Sequence, residues 1–368
     1  MDDLGKFFCV NKKCSMYGIR DGENIHVRAW SGKHKDIRLL HCRVCKKKFS
    51  ERRGTVLSDS RLPAEKAVSL LEHVVEGNGM RKTGRLVKVG HMTVSRYTKL
   101  AGEHSETLHD ELVAFSPNTQ EIQFDEKWRF VRKKEKHGDA DNPADARCGD
   151  NWDHVSLDAE TKLVLQVVNG KRTKKNMKRL VRKTAKYLKN KLPRLITSDE
   201  WQAYERAILE AFGECLVPPP TGLRGRPRRP LLVPPEGLVY ATVHKTRVKG
   251  RVTKISYRTI LGTDEQVQEA LKTSRCSRKV NTALIERQNG TDRNRCSRKV
   301  RKTYCFSKDW EVHEAATRLS LYSYNFCWAV RTLRRPDGQK GKCTPAMAGL
   351  AENVWTIREG ITFPGCKC

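Results

Sequence analysis

EIQFDEKWRFV occupies residues 121–131. Apolar and polar side chains alternate along it, the period-two signature of a half-buried strand. Ile122, Phe124, Trp128 and Phe130 share one face with Glu126, and Asp125 lies on the other. A long polar stretch, Lys133 to Asp150, follows it. HVSLDA (154–159) and KLVLQVVNG (162–170) then read as the two strands of a hairpin that turns near Glu160. Beyond them Met177, Leu180, Val181, Thr184 and Leu188 make one apolar stripe at helical spacing. RLITSDEW (194–201) is a further strand, and it leads into the helix WQAYERAILEAF (201–212).

Three strands, a helix, a strand and a helix is the element order of a ribonuclease H-like core. At 368 residues the chain is long enough for two or three domains. The expected architecture is α/β and multidomain. Residues 1–57 are read as a zinc-binding ribbon and 58–117 as a helix-turn-helix DNA-binding segment. Residues 118–333 are read as a ribonuclease H-like domain, a mixed sheet with flanking helices and a basic Pro/Arg-rich insert near 213–250. Residues 334–368 are read as a loosely ordered tail. In the second segment Pro63 suits a first helical turn, and Ala67, Leu70, Leu71, Val74 and Val75 recur at helical spacing. A break at GNGMRKTG precedes HMTVSRYTKLAGEH, whose start carries Arg96 and Lys99. Residues 238–262 read as two strands around a turn at Lys249–Gly250.

The charge narrows the partners. Lys and Arg number 73 against 42 Asp and Glu, a formal net charge of +31. Such a chain is built to hold a polyanion. No run approaches the ~20 apolar residues of a spanning helix, so membrane insertion is not expected, and the first residues lack the apolar core of a signal peptide. The thirteen cysteines then fit a reducing compartment with some thiols on metal, and a cytoplasmic, nucleoid-associated protein is expected. Lys171–Arg194 holds twelve Lys/Arg and no acid. A run of one sign repels itself, which suits a phosphate-facing surface that includes Lys175 and Arg179.

Two constellations carry chemistry. Cys9-x4-Cys14 and Cys42-x2-Cys45 are two short-spaced pairs with 27 residues between them. Short spacing lets both sulfurs of a pair reach one ion, and four thiolates make a closed tetrahedral zinc site with a structural role. The second constellation is acidic. Asp125 lies mid-strand, Asp199 at a strand end and Glu286 on a helix, each with a setting that would suit an Mg2+ or Mn2+ ligand. Glu126 and Glu200 are immediate rivals, and spacing alone does not choose among them.

The acidic segments resemble the catalytic blocks of prokaryotic DDE transposases, in particular the family of the first-described insertion sequence. Asp125-Glu126-Lys127-Trp128 resembles its first block, and Asp199-Glu200-Trp201-Gln202-Ala203-Tyr204 its second. Ile285-Glu286-Arg287-Gln288-Asn289, with Arg293 and Arg301-Lys302-Thr303-Tyr304-Cys305-Phe306-Ser307 beyond it, is similar to the third. The resemblance covers roughly residues 5–330. It implies that Asp125, Asp199 and Glu286 hold Mg2+ (or Mn2+) and catalyse phosphoryl transfer. It also implies that Arg293, two helical turns beyond Glu286, touches terminal DNA, with Arg287 beside it. Arg224-Gly225-Arg226-Pro227 resembles an AT-hook core, which lies extended in a narrow minor groove.

The expected function is that of a DNA transposase. It would recognise terminal inverted repeats, cleave there and join the ends to target DNA, as a homodimer on paired ends. The alternatives are a DNA-binding regulator without catalysis and a ribonuclease H-like nuclease without strand transfer.

Overall fold

The computed structural model describes residues 4–113, 118–139, 141–189, 191–219 and 229–366. The chain divides into two compact units. The first comprises the residues up to 112, 311–328 and the C-terminal stretch from 353. The second comprises 113–310 and 329–352. Among the described residues no helix is long and apolar enough to cross a membrane.

The first unit opens with three antiparallel strands in sequence order, β1 (Ile25–Ser31), β2 (Ile37–Cys42) and β3 (Lys48–Ser50). Helices α1 (Ala64–Val75), α2 (Met80–Val87) and α3 (His91–Val113) follow. The expected apolar stripe of α1 is its buried face, packed with Val94, Tyr97 and Ala101 of α3. Gly84 of α2 sits so close to the following turn that a Cβ there would lie 2.7 Å from the Val89 carbonyl oxygen. Lys88 reverses the chain with φ 56°, which makes helix, turn, helix.

The second unit is built on a six-stranded mixed sheet. Its strands are β4 (Glu121–Val131), β5 (Gly149–Asp158), β6 (Val164–Gly170), β7 (Leu195–Asp199), β10 (Tyr240–Val248) and β11 (Arg251–Leu261). A separate short hairpin pairs β8 (Glu214–Leu216) with β9 (Leu231–Val233). The sheet order is β11-β10-β7-β4-β5-β6. Strands β4, β5 and β6 run antiparallel in succession, whereas β7 pairs parallel with β4 and β10 parallel with β7. This mixed sheet with helices between its later strands is consistent with a ribonuclease H-like core.

Helices α4 (Lys174–Tyr187) and α5 (Ala203–Phe212) cover one face. There the Ser156 and Thr184 hydroxyls lie 2.8 Å apart, and Tyr204 packs against Phe124. Helices α6 (Asp264–Thr273) and α7 (Ala283–Arg295) cover the other. Val267, Ala270 and Leu271 of α6 join Leu195, Ala241 and Val243 in one core, and the Ile285 N–H of α7 donates to Gln123 Oε1 at 3.0 Å. With both faces covered, β4 is buried along most of its length rather than half-buried.

The chain's last third departs from the expected domain bounds. Helix α8 (Trp310–Cys327), apart from its first residue, belongs to the first unit rather than to the sheet domain. There α3 and α8 cross closely, since a Cβ on Gly102 would lie 2.5 Å from the Ala315 Cα. The expected loose tail is instead structured. Thr356 caps α9 (Ile357–Thr362) in a reciprocal box with Glu359, and Ile361 is buried in the first unit's core. Arg20 fixes the end of this segment, donating to Glu111 Oε1 at 2.6 Å and to the Pro364 carbonyl at 2.5 Å. The Gly- and Lys-rich start of the tail suggested a loose segment, whereas its apolar residues lie further on, Trp355, Ile357, Ile361 and Phe363 among them.

Candidate functional site

In the first unit the sulfurs of Cys9, Cys14, Cys42 and Cys45 lie within 4.8 Å of one another. Four sulfurs on a tetrahedral zinc at ~2.3 Å stand roughly 3.8 Å apart, so the set fits that ion. Each sulfur also receives a backbone N–H from the residue two positions on: Asn11, Met16, Val44 and Lys47 respectively. The Asn24 amide donates to Cys42 Sγ at 3.1 Å. The Lys47 N–H draws the Cys45 thiol down to about 6, whereas burial pushes Cys9 up. Lys46 makes the tight turn with φ 60°. The knuckle is therefore shaped for thiolates by its own backbone.

In the second unit the carboxylates of Asp125, Glu126 and Asp199 lie within 4.8 Å of one another. Parallel pairing of β4 with β7, in register to Gln123 opposite Thr197, sets Asp125 and Glu126 of mid-β4 beside the end of β7 that carries Asp199. Burial, then the charges of Glu126 and Asp199, push Asp125 up to about 7. Glu126 and Asp199 are also raised, in each case first by burial. Three carboxylates crowded together in a desolvated place are relieved by a cation. Hard oxygen donors of this kind suit Mg2+ or Mn2+.

Glu286 is not in that group. Its carboxylate pairs with Lys245 of β10 and accepts from the Thr282 hydroxyl at 2.7 Å. It stands near enough for its charge to act on Asp125, but less than Glu126 or Asp199 does. Thus the structure gathers two of the three expected acids and adds Glu126, which sequence phase had put on the opposite face from Asp125. The two side chains do leave β4 on opposite faces, and they meet at the open strand end beside Asp199. Glu200, the other rival, turns to His244 at 2.5 Å.

Glu126 is held from the α4–α5 side. It accepts from Arg172 Nε at 2.7 Å and from the Tyr204 hydroxyl at 2.8 Å. The Arg172 guanidinium stacks 4.5 Å from the Trp201 ring centre and 5.1 Å from that of Trp152. It also reaches 3.7 Å from Asp199. The Trp201 and Tyr204 of the second block therefore serve to aim a cation and a hydroxyl at the acids. Arg172 was legible only as one of twelve basic residues, since nothing in its neighbours marks the clamp.

Asp125 is held from the α7 side. Asn289 donates to it at 2.6 Å. Below lies a fully buried charge cluster: Lys127 and Lys299 both bind Asp292, and Lys299 and Arg129 approach Asp153 to 3.1 and 3.3 Å. Burial draws Lys127 down to about 8. Burial opposes ionisation of Asp292, yet Lys127 and Lys299 hold its carboxyl well below the usual range. The hexapeptide RCSRKV occurs at residues 275–280 and again at 295–300, and the second copy supplies Lys299, which is buried.

The expected DNA contacts are scattered over both units. Arg96, Lys175, Arg179 and Arg287 are exposed. Lys99 pairs with Glu311 at 2.6 Å, within the first unit. Arg293 is half-buried near Arg129 and Arg301. Arg224 and Arg226, the AT-hook-like pair, lie outside the described residues.

No protein-family model matches this sequence, and no curated protein matches it. Among solved structures the chain is similar to the Mos1 strand transfer complex, at 16% identity and TM-score 0.17, over 41% of this chain and 55% of that one. It is similar to the Mos1 mariner paired-end complex with Mn at 14% and 0.17, over 41% and 56%. A pre-cleavage Mos1 transpososome gives 15% and 0.18, over 42% and 58%. The chain thus spans little more than half the length of these chains.

Proposed function

We propose that this chain is a DNA transposase of the DDE type, of the family of the first-described insertion sequence. It would cut at terminal inverted repeats and transfer the freed ends into target DNA. The observation that carries this reading is the convergence of Asp125, Glu126 and Asp199 at one strand end of a mixed sheet, in a chain of net charge +31.

Asp125 and Asp199 would hold Mg2+ or Mn2+, with Glu126 or Glu286 as the third carboxylate. Bound there, divalent cations activate an attacking oxygen and stabilise a leaving one in phosphoryl transfer. The chain's own residues supply position. Asn289 orients Asp125, Arg172 and Tyr204 orient Glu126, and the buried Lys127–Asp292–Lys299 set fastens α7 to the sheet. Zinc on the cysteine knuckle is structural, because four thiolates leave no open position. The knuckle and the helices α1–α3 would bind the terminal repeats, and pairing of two ends calls for a homodimer on DNA.

The test is metal-dependent cleavage of end DNA by purified protein, with Asp125→Asn beside it. The variant should bind end DNA as the parent does and cut none. A parent that binds DNA and never nicks it in Mg2+ or Mn2+ would make the chain a non-catalytic regulator. Cleavage without joining of pre-cut ends would make it a nuclease.

A further inference from the structure

Strands β10 and β11 outrun the sheet. β10 is paired to β7 only through Tyr240–Val243, opposite Ile196–Asp199. Past Val243 the two strands continue as a free two-stranded ribbon, paired with each other from His244–Ser256 to Val248–Arg251. Five residues of β10, His244–Val248, at ~3.3 Å apiece carry it roughly 16 Å beyond its neighbour. Lys249 and Gly250 close it with φ 49° and 79°. Positive φ at both loop positions is the turn whose twist suits a tight hairpin. The ribbon leaves the sheet at Asp199, since Val243 pairs with Asp199 in register.

The ribbon's composition is as one-sided as its shape. Between Thr242 and Thr259 stand Lys245, Arg247, Lys249, Arg251, Lys254 and Arg258, with no acid. Arg247, Arg251, Lys254 and Arg258 are exposed. Exposed apolar side chains lie between them: Val248 at 54%, Val252 at 42% and Ile255 at 52%. A free edge with bare apolar residues invites pairing with another strand, and lysine and arginine along the edge oppose that. A second copy of the ribbon would bring six cations against six. A polyanion meets the same charge favourably.

We propose that this ribbon is a DNA-binding arm that seats duplex DNA alongside the acidic cluster. A two-stranded ribbon fits a major groove ~12 Å wide and ~8.5 Å deep, and its flanking cations would reach the phosphates on either side. Because the ribbon begins at Asp199, a duplex seated on it runs past Asp125, Glu126 and Asp199. Lys245 at the root joins the arm to Glu286, which ties the arm to the third block of the acidic site. The inference rests on the DNA-acting reading above.

The experiment measures the affinity of the full chain for a terminal-repeat duplex and for an unrelated duplex over a series of salt concentrations. The chain carries Arg247→Ala, Arg251→Ala and Lys254→Ala together. A control carries Arg334→Ala, Lys340→Ala and Lys342→Ala, which removes equal charge from exposed positions elsewhere in the second unit. The ribbon variant should lose affinity for both duplexes, and its log–log salt slope should fall by about 2.7, at ~0.9 per phosphate contact. An unchanged slope, or an equal fall in the control, overturns the arm while the parent's DNA binding stands. Loss of self-association rather than of DNA affinity in the ribbon variant would assign the ribbon to a second copy and overturn it too. A parent that binds neither duplex overturns both this inference and the transposase reading.

Discussion

The cysteine knuckle and the acidic cluster are both ligand sets, assembled by opposite means. The knuckle's four sulfurs come from two tight turns, and each turn presets its own pair through backbone N–H groups two residues on. The acidic cluster has no local template. Its carboxylates come from β4 and β7, brought together by parallel pairing, and they repel one another where they meet. The knuckle is locally shaped, its four sulfurs close enough together to suit one ion. The acidic cluster is held open by the rest of the sheet, with Arg172, Tyr204 and Asn289 restraining its members. A closed set serves structure and an open one serves chemistry.

The largest effect separates the two by metal. Structural zinc contributes on the order of 10–16 kcal/mol to small thiolate sites. A strong chelator, or Cys42→Ser, should therefore unfold residues 4–57, seen as new proteolytic cuts there and loss of bound zinc. Intact resistance of that segment after chelation would break the contrast. The sheet unit should keep its fold under the same treatment.

The second effect asks which glutamate completes the acidic set. A carboxylate that holds the catalytic cation contributes several kcal/mol, about 10^3-fold in rate. Glu126→Gln and Glu286→Gln should divide on this scale, with Mn2+ affinity measured beside cleavage. Equal small losses in both would mean that neither is a ligand.

Third comes the buried charge cluster. Asp292→Asn leaves Lys127 and Lys299 without their shared partner, and removing one member of a buried pair costs about 3–5 kcal/mol. Denaturant midpoints of the second unit should fall accordingly. An unchanged midpoint would mean that α7 is fastened by apolar contacts alone.

A pH effect follows. Asp125 binds its proton more tightly in the fold than in the unfolded chain, at about 7 against an ordinary 3.8. Its stabilising contribution is complete below that ordinary value and is lost as pH rises towards 7. In metal-free buffer Asp125→Asn should melt above the parent at pH 8, by roughly 2–4 °C for each kcal/mol, and the gap should close near pH 4. A constant gap would place the effect elsewhere. The least effect is a helix cap: Thr263 caps α6 in a reciprocal box with Gln266, and Thr263→Ala should cost about 1 kcal/mol by thermal melting.

Much of this was open to reading in one dimension. Alternation in EIQFDEKWRFV and the apolar stripe of α4 follow from side-chain geometry within a few residues, so the strand, the helix and their order were legible. The cysteine pairs were legible for the same reason, since a short spacing forces proximity. Glu126 was not, because its place beside Asp199 depends on where β7 pairs with β4. The Arg172 clamp depends on Trp152, Trp201 and Glu126 meeting across the sheet face, and nothing in KRTKK distinguishes one cation from the next.

Periodicity and spacing, properties of neighbours along the chain, determined the elements and the thiol knuckle, and net charge gave the expectation of a polyanionic partner. Which acids converge, which lysines are buried, and that residues 353–366 return to the first unit were decided only by tertiary structure. The reason is that strand register and long-range burial depend on pairs of distant residues, whereas a sequence displays its residues one after another.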